Sequence, residues 1–118
     1  MREGRVLACA AGALLLAGSA AWAHHGWGSY DSDNPLTLTG KIVESTYQNP
    51  HGTLKLDAPG KTWLVILAPP SRMERRGLPA SMLAPGKTAT VVGYAHRTEA
   101  TELRAERITI DGKTVELR

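Results

Sequence analysis

Residues 36–42 of this chain are Leu36-Thr37-Leu38-Thr39-Gly40-Lys41-Ile42. Apolar and polar side chains alternate along this stretch, which is the period of a β-strand with one buried face. A glycine inside such a strand is typical of a bulge or a sharp bend. The stretch therefore predicts a long first strand that bends near Gly40 and continues to about Tyr47.

Further strand patterns follow at short intervals, separated by turn-forming residues. The predicted strands cover residues 53–57, 62–67, 88–96, 103–110 and 114–117. The run 62–67 is apolar on both faces, which predicts a place at the centre of the sheet. Asp111-Gly112 is a strong signal for a two-residue hairpin turn.

The helical signal lies between the third and fourth strands. Ser71 and Glu74 have the spacing of a capping box, which predicts a short helix over residues 72–76 and a further turn at 81–83. This order of elements is typical of an OB-fold barrel. We therefore expect an all-β domain over residues 36–118, a small barrel of five to six strands with one short helix, preceded by an extended arm over residues 24–35. An open meander or a small sandwich of the same strands is the competing architecture.

The strand phases also predict which side chains form the core of the domain. These are Leu38, Ile42, Leu56, Val65, Leu67, Val91 and Ile108.

The first 23 residues have the three parts of a secretory signal peptide. Arg2 and Arg5 are followed by an uncharged run over residues 6–17, and Ala21-x-Ala23 supplies the small residues of a cleavage site. The run is about 12 residues long, whereas a membrane-spanning helix needs roughly 20. We expect cleavage after Ala23, a periplasmic or secreted location, and no stable membrane insertion after cleavage.

Composition excludes several classes of protein. The single cysteine, Cys9, lies inside the predicted signal peptide, so the domain that follows has no disulfide and no thiolate. The net charge is only +3, and Lys and Arg are spread along the chain apart from Arg72, Arg75 and Arg76. A nucleic-acid-binding domain normally shows a denser basic stripe, and we expect no nucleic-acid partner.

Three segments of the sequence resemble a family of short exported bacterial proteins of unknown function. They are His24-His25-Gly26-Trp27-Gly28-Ser29-Tyr30-Asp31, Pro35-Leu36-Thr37-Leu38-Thr39-Gly40 and Asn49-Pro50-His51. Members of that family typically have a His-His start after the signal peptide and an Asn-Pro-His turn. The resemblance implies export and a common fold, and it implies no particular activity.

The histidines are the most notable polar group in the predicted mature domain. Cleavage after Ala23 makes His24 the first residue, and its free amine and imidazole can then chelate one metal ion together. His25 or His51 can add a further nitrogen, and nitrogen-rich sites favour Cu(II) among the divalent ions of the first transition row. The site predicted from sequence is therefore His24, His25 and His51 with copper or a related divalent ion. Cleavage after Ala21 is an alternative that would place His24 third, which also gives a copper chelator.

Incidental histidines are the plain alternative, since a flexible His-His terminus binds copper weakly in any protein. His51 in a turn can simply bond the backbone, and His96, near a strand end, is expected to be exposed. Asp31 is a candidate for a carboxylate that orients a metal-binding histidine through a hydrogen bond. The three arginines of the predicted helix can hold an anion or face solvent. A ligand-binding barrel face is predicted from the aromatic residues Trp27, Tyr30, Tyr47 and Tyr94, because aromatic rings stack on sugars and peptides.

Motifs for catalysis are missing from the sequence. There is no Gly-x-Ser-x-Gly elbow, no phosphate-binding glycine loop and no His-Glu-x-x-His. We expect a non-enzymatic, periplasmic ligand-binding domain that takes copper or another divalent metal. The alternatives are a metal-free envelope module that recognises a peptide, a glycan or an envelope protein through the barrel face, and an oxidative enzyme built on an amino-terminal copper brace.

Overall fold

The computed structural model describes residues 26–118. The predicted signal peptide and the histidines His24 and His25 lie outside the described residues. The strands are β1 (Leu36–Thr46), β2 (Thr53–Ala58), β3 (Lys61–Ile66), β4 (Thr88–Ala95), β5 (Glu102–Ile110) and β6 (Lys113–Glu116). The helix α1 (Pro70–Arg75) and a 3₁₀ turn (Ala80–Leu83) connect β3 to β4, and a second 3₁₀ turn (Trp27–Ser29) lies in the arm.

The strands close into a barrel. Neighbours in the sheet follow the order β3-β2-β1-β4-β5-β6, and β3 also pairs with β5 in parallel, from Leu64 opposite Glu102 to Ile66 opposite Arg104. This extra pairing joins the two ends of a five-stranded sheet, and β6 is added to β5 as a hairpin. The predicted OB-fold-like barrel is confirmed, and the open meander and the sandwich are excluded.

The first strand bends near Gly40, as the sequence predicts. A Cβ atom on Gly40 would lie 2.2 Å from the carbonyl oxygen of Asp57 on β2, so the two backbones approach too closely for any other residue. The register with β2 shifts between Ile42 and Glu44, which leaves Val43 on a bulge with 55% of its surface exposed. The bulge and the close approach together let one strand serve both sides of the barrel.

The core is the single interior of this barrel. Of the predicted core residues, all but Leu38 are at most 2% exposed, and Leu38 is partly buried and packs against the others. The run 62–67 is apolar on both faces and was therefore expected to be buried at the centre of the sheet, and this prediction is only half right for β3. Trp63 and Val65 are buried, but Leu64 and Ile66 on the other face are only half-buried, because that face lies on the outside of the barrel. The strand is apolar on both faces, yet it has a conventional inside and outside.

The helix begins differently from the prediction. Pro70 is its first residue and Pro69 its N-cap, and no side chain of the described residues caps it, so the predicted Ser71–Glu74 capping box is wrong. A proline is well suited to the first helical turn, since its missing N–H would have no partner there anyway.

Two arginines of this region donate hydrogen bonds to backbone carbonyl oxygens. An Nη atom of Arg72, within α1, donates to the carbonyl oxygen of Leu117 at 2.9 Å. Arg76, the residue after α1, donates to the carbonyl oxygens of Glu116 at 2.8 Å and Arg118 at 3.1 Å. These contacts attach the end of the chain to the helix.

The last hairpin has the predicted turn, with positive φ at both Asp111 (52°) and Gly112 (77°). Within residues 26–118, no helix has the length and apolar character needed to cross a membrane.

Candidate functional site

The arm is attached to the barrel at the end of β4. Tyr30 forms an isolated antiparallel bridge with His96, the residue that follows β4. The backbone N–H of Asp31 donates to the carbonyl oxygen of Ala95 at 2.8 Å, and the N–H of Arg97 donates to that of Ser29 at 2.9 Å. The segment immediately after the predicted metal ligands is therefore held in a defined place.

The outer face of β5 receives the aromatic side chains of this region. Glu102, Arg104 and Glu106 alternate along β5 with Leu103 and Ala105, which are completely buried. Each of these three charged residues contacts one of the aromatic residues of this region. Tyr30 donates its hydroxyl to Glu102, Trp27 stacks on Arg104, and Tyr94 donates its hydroxyl to Glu106 at 3.0 Å.

Tyr30 is the most deeply buried of these aromatic residues, with 1% of its surface exposed. Burial raises the pKa of Tyr30 well above its ordinary value, and the hydrogen bond to Glu102 raises it further. Its ring packs edge-on against that of His96, with 5.0 Å between the ring centroids. Tyr30 therefore anchors the arm through packing and a hydrogen bond at once.

Trp27 is held by two guanidinium groups. The Cζ atoms of Arg104 and Arg118 lie 4.3 Å and 4.4 Å from its ring, and the ring of Tyr94 packs edge-on at 6.2 Å. A cation over an indole contributes about 0.5–2 kcal/mol, depending on its exposure. Burial lowers the pKa of the Arg104 guanidinium, and the charges of Arg72 and Arg118 lower it further. Arginine nevertheless stays protonated in proteins.

His51 reaches this cluster from the loop between β1 and β2, where the Asn49–Pro50 peptide bond is cis. It is half-buried, and its Nε2 atom lies 3.3 Å from an Nη atom of Arg104. A guanidinium group only donates hydrogen bonds, so Nε2 of His51 must accept. The proton of the neutral imidazole is therefore on Nδ1.

His96 has the opposite arrangement. Its Nδ1 atom accepts from the backbone N–H groups of Thr98 and Glu99, both at 3.1 Å, so its own proton is on Nε2. The expectation that His96 is an exposed histidine is wrong, because it is only 8% exposed. It organises the loop between β4 and β5, to which the arm is attached.

The other predicted site residues have different positions. Two of the three predicted metal ligands, His24 and His25, precede the described residues, and within residues 26–118 no three His, Cys, Asp or Glu side chains are grouped for a metal. Asp31 accepts a hydrogen bond from the side-chain amide of Asn34 at 2.9 Å. Tyr47 donates its hydroxyl to the carbonyl oxygen of Leu78 at 2.6 Å, so it joins the segment after α1 and not the group around Trp27.

Sequence reasoning missed the charged residues of this cluster. Glu102, Arg104 and Glu106 are spaced two apart in a predicted strand, and that alternation with Leu103 and Ala105 was a usable signal for one outward-facing row. No sequence pattern links this row to Trp27 and Tyr30, which lie more than seventy residues earlier in the chain.

A family model establishes the kinship of the chain. The chain belongs to a family of unknown function, DUF6152, whose model matches residues 11–104. The expectation of an uncharacterised family is confirmed. None of the curated proteins compared matches the sequence.

Solved structures share the fold at low sequence identity. A chain of TiaS in complex with a tRNA and ATP is 20% identical with a TM-score of 0.51, and the match covers 72% of this chain and 19% of that one. The ZRD-deleted mutant of TiaS in complex with agmatine is 19% identical with a TM-score of 0.50, covering 72% and 24%. A chain of the S. pombe Stn1–ten1 complex is 18% identical with a TM-score of 0.47, covering 64% and 57%. This chain thus spans less than two thirds of each, and the likeness to TiaS shows the fold alone.

Proposed function

We propose that this chain, a member of the DUF6152 family, is an exported, non-enzymatic domain that binds Cu(II) at its processed amino terminus. His24 is the principal ligand through its amine and imidazole, and His25 and His51 supply further nitrogens. The observation that carries the proposal is the position of Arg104, whose guanidinium group contacts both Trp27 of the arm and His51 of the barrel.

Chain geometry supports a shared site. Consecutive α-carbons are about 3.8 Å apart, so the α-carbon of His24 lies at most about 11 Å from that of Trp27. Trp27 and His51 both touch the guanidinium group of Arg104, at 4.3 Å from Cζ and 3.3 Å from Nη. An imidazole at residue 24 or 25 is therefore within reach of the imidazole of His51.

Attachment of the arm supports a specific site over an incidental one. A free His-His terminus must be ordered when it binds a metal, and that ordering weakens binding. Here the stacking of Trp27 and the burial of Tyr30 hold the part of the arm that follows the two histidines on the barrel, without any metal. The folded domain should consequently bind copper more tightly than its terminal peptide.

The location proposed for this activity is the periplasm or the cell exterior. It rests on the basic start, the apolar run and the Ala21-x-Ala23 site within residues 1–23. Processing also matters for the chemistry, since the amine of His24 exists only after cleavage at Ala23.

The contacts of the aromatic residues favour this proposal over recognition of a glycan or a peptide by an open barrel face. Trp27, Tyr30 and Tyr94 each make an internal contact with a charged residue of β5. The ring of Tyr30 is buried and cannot stack on a sugar, and the half-buried rings of Trp27 and Tyr94 pack edge-on against each other.

The test compares the domain that begins at His24 with the free peptide His-His-Gly-Trp in a Cu(II) competition titration. We expect about one equivalent of Cu(II), bound more tightly by the domain. A version with one residue added before His24 should lose affinity, because its α-amine is no longer next to the imidazole. Equal affinities of the peptide and the domain would show an incidental site and would leave the metal-free envelope module as the better proposal.

A further inference from the structure

We propose that the guanidinium groups of Arg72, Arg104 and Arg118, called the arginine cluster below, bind a phosphate group. The three residues come from separate parts of the chain, since Arg72 lies in α1, Arg104 in β5 and Arg118 after β6. The proposal goes beyond the copper site, because it uses neither His24 nor His25 and needs no metal ion.

The tryptophan of the arm brings two members of the cluster together. The Cζ atoms of Arg104 and Arg118 lie 4.3 Å and 4.4 Å from the centroid of the Trp27 ring. The two Cζ atoms are therefore separated by no more than the sum of these distances, about 9 Å. A hydrogen bond from a guanidinium group to a phosphate oxygen is about 2.8 Å long, and Arg and phosphate commonly pair through two such bonds. One phosphate group is thus large enough to bridge the two guanidinium groups.

The third member is held beside them by a backbone contact. An Nη atom of Arg72 donates to the carbonyl oxygen of Leu117, the residue before Arg118, at 2.9 Å. The charge of Arg72 reaches Arg104, because it lowers the pKa of the Arg104 guanidinium after the larger effect of burial, as the charge of Arg118 also does. A guanidinium group has five N–H donors, and the bond to Leu117 uses one of those of Arg72. Arg72 can therefore donate to a phosphate group while it keeps this contact.

Arg104 is the buried member of the cluster, with 7% of its surface exposed. Trp27 stacks on its guanidinium group, and Nε2 of His51 accepts from one of its Nη atoms at 3.3 Å. An indole and a neutral imidazole orient a guanidinium group without neutralising its charge. Like charges repel more strongly in such a poorly solvated place than in water. An anion bound among the three guanidinium groups removes this repulsion.

Two carboxylates of β5 border the cluster, and both have other donors. Glu102 accepts from the hydroxyl of Tyr30, and Glu106 accepts from Arg107 at 3.2 Å. Glu106 also accepts from Arg118, but at 3.4 Å this is the longest of the three contacts and the easiest to exchange. A phosphate monoester carries nearly two negative charges and three acceptor oxygens. It therefore matches three cations better than a single carboxylate does.

The test is a titration of the domain that begins at His24 with inorganic phosphate, in metal-free buffer at constant ionic strength. Arg72→Gln is compared with Arg75→Gln, which removes the same charge from the same helix at an exposed position outside the cluster. We expect Arg72→Gln to bind phosphate about tenfold more weakly, on the scale of hydrogen bonds to charged groups. Arg118→Gln should have a similar effect, and Arg75→Gln should change the affinity less than about twofold.

The indole N–H signals of Trp27 and Trp63 in ¹H–¹⁵N spectra locate the bound phosphate. Trp63 is the internal control, because Nζ of Lys61 lies 4.1 Å from its ring and gives it a stacked cation outside the cluster. Phosphate should shift the signal of Trp27 and not that of Trp63, and the same spectra report whether each variant is folded. Equal shifts of the two signals would indicate unspecific attraction of phosphate to cations and would overturn the site.

Two further probes identify the source of the phosphate group. Glycerol 3-phosphate represents a small soluble phosphoester, and phosphatidylcholine vesicles with and without phosphatidic acid represent a lipid headgroup. Tighter binding of one probe than of inorganic phosphate, weakened by Arg72→Gln, assigns the cluster to that source, and binding of inorganic phosphate alone assigns it to the free ion. Failure of all three probes to bind, or equal binding by folded Arg72→Gln and Arg75→Gln, would overturn the proposal and leave the copper site untouched.

Discussion

The hydroxyl of Tyr30 donates a hydrogen bond to a carboxylate oxygen of Glu102, 72 residues further along the chain. This contact joins the buried side chain of Tyr30, in the arm, to the half-buried Glu102 at the start of β5. Burial and the carboxylate both favour the neutral phenol, which raises the pKa of Tyr30 above its ordinary value near 10. The attachment of the arm therefore depends on a proton that alkaline solution removes.

We predict that the free energy of unfolding falls as the pH rises above about 10, and that ionisation of Tyr30 accounts for part of this loss. In that range the unfolded chain loses the phenolic proton while the folded chain retains it, so stability decreases with pH. Denaturant unfolding at about pH 8 and at several values above 10 measures the effect. Tyr30→Phe should remove part of the pH dependence and Tyr47→Phe should remove less, since the hydroxyl of Tyr47 donates to a backbone carbonyl and not to a carboxylate. An identical alkaline loss in Tyr30→Phe would contradict the assignment.

A second prediction concerns the core of the barrel. Val65 is completely buried on β3, so Val65→Ala should lower the free energy of unfolding by about 2 kcal/mol, on the scale of large-to-small core substitutions. Val43 lies on the bulge of β1 with 55% of its surface exposed, and Val43→Ala should cost less than about 0.5 kcal/mol. Chemical denaturation of the two variants makes the comparison. Equal losses would be incompatible with the barrel interior described.

The third prediction tests the close approach at Gly40. A methyl group there would lie 2.2 Å from a backbone oxygen of Asp57, which cannot move aside as a side chain could. Gly40→Ala should lower the free energy of unfolding by about 1–3 kcal/mol, the range for overpacking. Gly28→Ala is the control, because a Cβ there meets no described atom within 4 Å. Thermal unfolding of both should show a lower melting temperature for Gly40→Ala alone.

Export is the fourth prediction. Mass spectrometry of the protein purified from the cell envelope should find an amino terminus at His24, or less often at Trp22, because Ala21-x-Ala23 and Ser19-x-Ala21 both supply small residues. Replacing Ala23 with a large charged residue should block the main cut. Recovery of the intact Met1 or Arg2 terminus from the envelope would refute processing.

Metal binding gives the fifth prediction. An imidazole must be neutral to coordinate, so Cu(II) affinity should fall as the pH falls through the ordinary histidine range near 6.5. The amine of His24 must also lose its proton, which adds a second proton released per metal. Calorimetry in two buffers of different ionisation enthalpy counts these protons. Zn(II) should bind more weakly, following the usual affinity order, and a preference for Zn(II) would argue for a different ligand set.

Local pattern was sufficient to predict most of the fold. Alternation located the strands to within about two residues at their ends, because a strand with one buried face must place its side chains inside and outside in turn. The capping-box spacing of Ser71 and Glu74 predicts a helix that starts at Arg72, whereas the helix starts at Pro70, because a proline is favoured in the first helical turn.

The candidate site was predicted only in part, for a physical reason. The outward row on β5 follows from local alternation, but its pairing with Tyr30 and Trp27 depends on how the arm crosses the finished barrel. The tautomer of His51 likewise depends on Arg104, which is distant in the sequence, and that of His96 depends on backbone N–H groups of its loop. Interactions of this kind have no signature in a single sequence.

The hydrogen bonds from Arg72 and Arg76 to the carbonyl oxygens of residues 116–118 have a consequence for solubility. In the described part of the chain, β6 pairs with β5 alone, so its other edge is where a strand of another molecule could add. An unprotected edge of this kind is a template for aggregation. Arg76 donates to the carbonyl oxygen of Glu116, the last residue of β6, and Arg72 and Arg76 bind the carbonyl oxygens of the two residues that follow. The helix region thus places two charged, bulky donors at the end of β6, where an added strand would begin or finish its pairing.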